Sequence, residues 1–359
     1  MANENEFFKL LEEEEKKGDK KSKKGKKKNP NAEDADANIT IGYKGSLSSS
    51  VDLCMPTGLV SLDLILAKDK QGVYGIPCGK QMEICGEESV GKSTWLYQVA
   101  VAWQKYWENG VVMFVETEGS LDWSRMASFG VDVSNVIHCQ PNFIEGGYKA
   151  VRRALKVARD SGYRILVIWD SIGMANSKQA YEADDEGVTV SSNARAIANG
   201  IRNITTLVSK TGSTIIYVNH LIAKIGGMGW GPKTDTGGGR KIKLACSIRM
   251  KFARVGQYKS GDEDLGILVN ITTIKNKLAI PRRTVEELCL DYVHGFNKDR
   301  SLLQACVASR LAKKKTGGLL TFKISGEKHS VKISGFEEWL KENKGMRKSL
   351  KAAVLSRGA

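Results

Sequence analysis

The residues Gly86-Glu87-Glu88-Ser89-Val90-Gly91-Lys92-Ser93-Thr94 match the spacing G-x-x-x-x-G-K-[ST] without a gap. A glycine-permitted turn of this kind aims successive backbone N–H groups at one point, and the helix that follows adds the positive end of its dipole, so the segment can cradle phosphates. Lys92 then reaches the β- and γ-phosphates, and the Ser93 hydroxyl can ligate Mg²⁺. A second requirement of such chemistry is a carboxylate near the ion. Asp170, which closes the apolar run Ile165 to Trp169, can hold the magnesium's water shell. A third is a group that orients and activates an attacking water. Glu116 and Glu118 both follow the apolar run Val111 to Val115, and composition does not choose between them.

These residues need elements to hold them. Gln81 to Cys85 reads as a short strand and Ser93 to Trp107 as a helix, with Leu96, Val99, Ala100 and Trp103 at helical spacing. Val111 to Val115, Ile165 to Trp169 and Thr214 to Val218 are continuous and apolar, as strands buried on both faces of a parallel sheet are. Glu145 to Asp160 and Ser191 to Lys210 read as helices between them. The pattern predicts an α/β core with a mostly parallel central sheet flanked by helices, whose ligands gather at the carboxyl ends of the strands. Leu244 to Phe252, Ile267 to Lys275 and Thr284 to Tyr292 follow as antiparallel strands. From about Gly295 a helix at Ser301 to Ala312, strands at Leu319 to Ile324 and His329 to Ile333, and a helix at Phe336 to Asn343 predict a small α+β C-terminal domain. The expected division is 1–38, 39–294 and 295–359.

The chain has 359 residues, 41% apolar and 26% charged, the balance of a soluble globular protein with a sizeable core. No apolar run is long enough to span a membrane. The seven cysteines are scattered without a C-x-x-C pair and odd in number, which argues against a disulfide framework or zinc site and fits a reducing cytosol. The acidic start, Met1 to Glu6, lacks a secretory apolar stretch. A net charge of +15 calls for a polyanionic partner, nucleic acid first. Asn5 to Lys17 reads as a helix with Phe7, Phe8, Leu10 and Leu11 as its apolar residues. The basic segment Lys16 to Lys28 is expected to be disordered, as a DNA-binding arm or as a linker.

Several blocks taken together resemble the RecA recombinases. They are Gly86 to Thr94, Phe114 to Asp122, Val131 to Asn135, Gln140-Pro141, Lys224-Ile225-Gly226, Thr236-Gly237-Gly238, Lys275-Asn276-Lys277 and Pro281. The resemblance spans roughly Thr57 to Lys344, C-terminal domain included. It implies a P-loop RecA-type core, and it selects Glu118 as the catalytic glutamate. It sets Asp122 and Arg125 beside the adenine, where an aromatic often stacks in bacterial RecA; a guanidinium can stack there too. His220 takes the place of a polar side chain, often Gln, that senses the γ-phosphate, and an imidazole can donate to phosphate. Lys275 and Lys277 match lysines that reach the nucleotide of the neighbouring protomer.

The same resemblance makes the glycine-rich stretch from Lys224 to Arg240 the second DNA-binding loop. Lys224, Ile225, Gly226, Met228, Trp230, Gly237, Gly238, Gly239 and Arg240 are its candidate contacts. Asp184 to Ser192 corresponds to the first loop, and Arg195 and Arg202 on the helix after it share a face. Lys313-Lys314-Lys315 lies where the family gathers duplex, and the end of the chain, Lys351 to Ala359, lacks the acidic tail common in RecA. The implied activity is a DNA-dependent ATPase, using ATP and Mg²⁺. It would form a helical filament on single-stranded DNA and pair it with double-stranded DNA. The alternatives are a hexameric RecA-fold motor and an ATP-binding recombination mediator without useful turnover.

Overall fold

The computed structural model describes residues 4–22, 51–183, 186–223, 234–260, 262–324 and 326–358. Helix α1 (Glu4–Ser22) comes first. A small antiparallel sheet follows, made of β1 (Cys54–Met55), β2 (Ala67–Lys68) and β3 (Tyr74–Pro77), with α2 (Val60–Leu66) between its first two strands. The central unit runs β4 (Gln81–Gly86), α3 (Lys92–Tyr106), β5 (Gly110–Glu116), α4 (Trp123–Ser128), β6 (Val136–Cys139), α5 (Ile144–Ser161), β7 (Arg164–Asp170), α6 (Lys178–Tyr181) and α7 (Glu186–Thr211). It continues with β8 (Thr214–Ala223), β9 (Thr234–Thr236), α8 (Gly239–Ala245), β10 (Ile248–Ser260), β11 (Glu263–Asn276), β12 (Thr284–Asp291) and β13 (Gly295–Phe296). Last come α9 (Lys298–Ala308), β14 (Ala312–Lys315), β15 (Leu319–Ile324), β16 (Glu327–Lys332), α10 (Phe336–Glu342) and α11 (Met346–Arg357).

The central sheet has the order β13-β12-β11-β10-β4-β8-β7-β5-β6, with β9 paired to the end of β8. From β10 to β6 every pairing is parallel, and from β10 to β13 every pairing is antiparallel. Strands β14 to β16 form a separate antiparallel sheet. The chain is therefore α/β, with a mixed, mostly parallel central sheet and a small antiparallel C-terminal sheet.

The interior strands are largely apolar because both faces are covered. On one side Trp95, Leu96, Val99, Ala100 and Trp103 of α3 pack on Val112, Phe114, Leu166, Ile168 and Ile216. On the other, Tyr148, Val151 and Leu155 of α5 and Ile197, Ile201 and Ile204 of α7 pack on Val111, Met113, Ile165, Val167 and Ile215. Alternate residues of one strand thus feed opposite cores, and each buried aliphatic or Phe side chain contributes about 1.5–3 kcal/mol. A third cluster joins α2 to α9, α10, α11 and the C-terminal sheet.

Some elements differ from the expected ones. Helix α1 runs to Ser22, into the basic segment expected to be disordered. Glu12 and Lys16, and Glu13 and Lys17, stand four apart in the favourable order, and Lys and Glu are good helix formers. The strand expected from Leu244 begins only at Ile248, because Gly239–Ala245 is helical. Asn297 caps α9 by accepting from the N–H groups of Asp299 and Arg300. The helix therefore starts and ends earlier than expected, which frees Ala312–Lys315 for β14. Helix α7 begins at Glu186, inside the segment likened to the first DNA loop, and α11 has no counterpart among the expected elements.

Candidate active site

Parallel pairing brings the candidate residues to one edge. Gly86 of β4 stands beside His220 of β8, and Glu116 of β5 beside Asp170 of β7. The turn Gly86–Gly91 then passes into α3. Gly91 caps that helix at φ +86°, and a Cβ there would lie 2.4 Å from Leu290 and 3.2 Å from Phe296. A Cβ on Gly86 would lie 2.6 Å from the carbonyl oxygen of Phe252. Both ends of the loop are thus glycine for steric reasons. Ser89 also adopts a left-handed conformation, at φ +56°. Within this loop the Lys92 ammonium is buried and donates to the carbonyls of Gly86 (3.1 Å) and Glu87 (2.5 Å). Burial lowers its pKa, against the pull of Asp170, Cys85, Glu118 and Glu88.

The Ser93 hydroxyl donates to Asp170 Oδ2 at 3.2 Å. Burial, then the neighbouring charge of Glu118, pushes the Asp170 carboxyl up to about 6, opposed by Ser93, Lys92 and His220. These are two hard oxygen donors at the mouth of a phosphate loop. They suit a magnesium ion that keeps several waters and takes its remaining oxygens from phosphate. Among the described residues no group of three or more His, Cys, Asp or Glu side chains forms a metal cage.

The two glutamates at the end of β5 have separate work. Glu116 is buried, and its Oε1 accepts the N–H groups of Glu118 (2.7 Å) and Ser120 (3.0 Å). It builds the turn. Glu118 projects from that turn, partly exposed, and its Oε1 lies 3.1 Å from His220 Nε2. Thr117 ties the turn to β7: its N–H meets the Asp170 carbonyl at 3.1 Å and its hydroxyl donates to the Ser171 carbonyl at 2.7 Å. Lys92, Ser93, Glu118, Asp170 and His220 therefore share one edge.

Asp122 caps α4 by accepting from the N–H of Arg125 at 2.9 Å. The Arg125 guanidinium donates to the Tyr292 carbonyl at 3.4 Å and lies 5.6 Å from the Phe129 ring centre. Tyr292, half exposed just past β12, was not singled out from the sequence. An exposed aromatic at a strand end was its available signal.

Lys275 and Lys277 are not with this group. Lys275 pairs across to Arg249 at the amino end of β10, which pairs with Glu83 in the middle of β4, three residues before Gly86. Their ammonium groups cap α8 instead. Lys275 donates to the carbonyls of Lys243 and Leu244 (3.2 Å to the latter), and Lys277 reaches Leu244 at 3.5 Å. Burial, then the charge of Lys277, lowers the Lys275 pKa.

Of the expected DNA contacts, Arg195 and Arg202 are exposed on α7. Gly238 and Gly239, both at φ +78°, lead into α8 against α7: a Cβ on Gly239 would lie 3.0 Å from Ala194. Arg240 is exposed one residue on, and Gly237 precedes the pair. Lys224, Ile225, Gly226, Met228 and Trp230 lie outside the described residues, as do Asp184 and Asp185.

Residues 37–297 match the RecA N-terminal domain family. The chain belongs to the RecA family. A protein named Protein RecA from Campylobacter hominis is 33% identical over 301 residues, 83% of this chain and 81% of that protein. The Protein RecA of Campylobacter lari is 31% identical over 300 residues, 84% and 83% of the two chains. That of Wolinella succinogenes is 30% identical over 302 residues, 83% and 81%. The phosphate loop and the strand-end carboxylates lie inside the region matched to the RecA N-terminal domain. Among the described residues no helix is long and apolar enough to cross a membrane.

Proposed function

We propose that this RecA-family chain is an ATP-dependent DNA recombinase. It polymerises on single-stranded DNA as a helical filament and pairs that strand with homologous duplex for strand exchange. The observation that carries the reading is the division of its chemistry. Glu118, His220, Lys92, Ser93 and Asp170 gather at one edge of the sheet, while Lys275 and Lys277 sit apart from them, at the amino end of β10. Such a site takes its last cations from the next copy. Glu118 orients the water that attacks the γ-phosphate, Lys92 binds the β- and γ-phosphates, and His220 reports the γ-phosphate's presence. Magnesium, held by Ser93 and Asp170, would supply charge neutralisation on the phosphate oxygens. Arg195, Arg202 and the segment from Lys224 to Arg240 take the DNA. The working parts are 1–38, 39–294 and 295–359, with Lys313 to Lys315 offered to duplex.

The test is ATP hydrolysis with and without single-stranded DNA, together with electron microscopy of the complexes. Stimulated hydrolysis on open helical filaments is the expected result. Closed rings point to a motor, and nucleotide binding without turnover points to a mediator.

A further inference from the structure

A cleft of about 1170 Å³ separates α3 and the turn from β12 to β13 from the C-terminal helices α9, α10 and α11. That exceeds the roughly 300–1,000 Å³ of a small-molecule pocket. The wall on the core side is fixed. The Gln98 amide donates to the Phe296 carbonyl at 3.1 Å and accepts the Phe296 N–H at 2.9 Å. A Cβ on Gly295, at φ +79°, would lie 2.8 Å from the Phe129 ring. Val101, Phe129 and Val293 leave apolar surface open in this cleft, Val293 being 74% exposed.

The carboxylates that line the cleft already have partners. Asp291 accepts the N–H groups of Val293 and His294, each at 2.8 Å, and lies 3.1 Å from the His294 ring. Asp299 holds Arg347 by two bonds of 2.7 Å. Glu337 accepts from Arg300 Nε at 2.8 Å. The lysines do not. Lys298, Lys341 and Lys351 line the same cleft, and among the described residues none of them has a carboxylate at ion-pair distance. Asp63, whose charge Lys351 feels, is buried and bonded to Thr57. The three lysines come from three different helices, α9, α10 and α11. A solvated face of one helix would not bring them to a common space. A cleft lined by one unspent sign of charge concentrates the field that attracts the opposite sign.

We propose that this cleft is a docking site for an acidic peptide segment of a partner protein, one that alternates carboxylates with large apolar side chains. In an extended segment such alternation sends the two kinds of side chain to opposite sides. The apolar side then rests on Val101, Phe129 and Val293, and the carboxylates meet Lys298, Lys341 and Lys351. Lysine suits this role, because a point charge on a flexible stem does not demand one geometry of its partner. Nucleic acid fits less well. Strand recognition draws on open rings for stacking and on guanidinium forks for phosphate. Here Arg347 is spent on Asp299, and Phe129 carries the Arg125 guanidinium at 5.6 Å.

The test uses the full chain without nucleotide or DNA, so it is independent of the recombinase reading. The probe is a short fluorescein-labelled peptide alternating aspartate with phenylalanine and leucine, followed by fluorescence anisotropy. The wild type should bind it and should not bind the same peptide with asparagine for aspartate. Lys298→Gln/Lys341→Gln should keep the melting temperature and weaken binding about two- to thirtyfold, the combined effect of two exposed ion pairs. Val293→Ser should weaken it as well, through the apolar side. Lys323→Gln/Lys328→Gln removes the same charge from exposed positions of the C-terminal sheet and should change the affinity less than about twofold. Hydrogen-exchange protection by the peptide should fall on 293–302 and 337–351. Absence of binding to the wild type overturns the proposal, and so does undiminished binding to Lys298→Gln/Lys341→Gln. An equal loss in both lysine pairs overturns it too, since the attraction then belongs to the basic chain at large. If Lys298→Gln/Lys341→Gln loses affinity for duplex DNA and keeps it for the peptide, the cleft is a nucleic-acid surface and the proposal fails.

Discussion

At the carboxyl ends of β4, β5, β7 and β8 the chain satisfies its polar groups on one another: Ser93 on Asp170, Glu118 on His220, and Lys92 on the carbonyls of its own loop. At the amino end of β10, where Arg249 has Lys275 alongside, the arrangement is looser. Lys275 and Lys277 rest on the last carbonyls of α8, beside the exposed Leu244 and near the exposed Ile280. The first region crowds carboxylates together, and burial first, then the charge of Glu118, pushes the Asp170 carboxyl up to about 6. The second has cations to spare and an apolar rim. Surpluses of opposite sign on two different faces suit head-to-tail contact between copies, which gives a helix wherever the rotation does not close. On the proposed reading, one end makes the chemistry and the other completes it in the next copy.

The largest effect should come from the end that holds the chemistry. Glu118→Gln is expected to lower turnover about 10²–10⁴-fold, the usual loss for one positioned base, while nucleotide binding persists. Glu116→Gln should act differently. It disturbs two N–H bonds in a buried turn and should lower thermal stability more than it lowers turnover per folded molecule. If a folded Glu116→Gln protein is inactive and Glu118→Gln hydrolyses ATP normally, the roles are reversed and the comparison between the two ends loses its first member.

The second member is tested by Lys275→Ala/Lys277→Ala. This protein should bind nucleotide through its intact phosphate loop and lose DNA-stimulated hydrolysis about 10²–10³-fold, the scale for a donor to transition-state charge. Mixing it with Lys92→Ala protein is the sharper measurement. An active interface needs the loop of one copy and the lysines of the next, so each mixed pair is competent in one orientation only and little activity should return. Full stimulated activity in the double-lysine protein alone would show that the amino end has no part in the reaction.

How much of this was legible in the sequence depended on range. The phosphate loop, Asp170 and the apolar strands were readable because short spacings and two-sided burial leave a continuous signal. The choice between Glu116 and Glu118 was not, since it turns on which carboxylate the turn consumes for its own N–H groups. The distance between Lys275 and Gly86 depends on the register of β11, β10 and β4, which no local pattern encodes. The pairing of Glu83 with Arg249 left one trace, a glutamate inside an otherwise buried strand, that signals a partner without naming it. Helix α11 went unread because it buries only Leu350 and Val354, two apolar positions among scattered basic and small residues.

Neither end of the sheet contains the densest run of positive charge, Lys16 to Lys28, so a third measurement asks whether DNA affinity belongs to either. Deleting Met1 to Lys28 should weaken binding to single strands and flatten its salt dependence by about 0.7 in log–log slope for each phosphate no longer neutralised. Stimulated hydrolysis should survive in part, since both ends remain. An unchanged slope makes the segment a linker. Loss of filaments from a folded monomer points instead to α1, whose Phe7 is wholly buried with its ring centre 4.9 Å from that of Tyr163. The same face of a second copy could receive that helix.

The smallest expected effect lies at the rim of the phosphate end. Arg125 is exposed and bracketed by the Tyr292 carbonyl and the Phe129 ring, and the sequence resemblance to RecA is what sets it beside the adenine. An exposed guanidinium over a ring is worth about 0.5–1 kcal/mol, so Arg125→Ala should raise the KM for ATP roughly two- to fivefold. The kcat should not move, because a contact to the base is the same in the ground state and the transition state. Arg125→Tyr should recover the loss, since it replaces one stacking surface with another. A fall in kcat at constant KM would place Arg125 among the groups that respond to the reacting phosphate. The boundary between a rim that only binds and an end that reacts would then have to move to include α4.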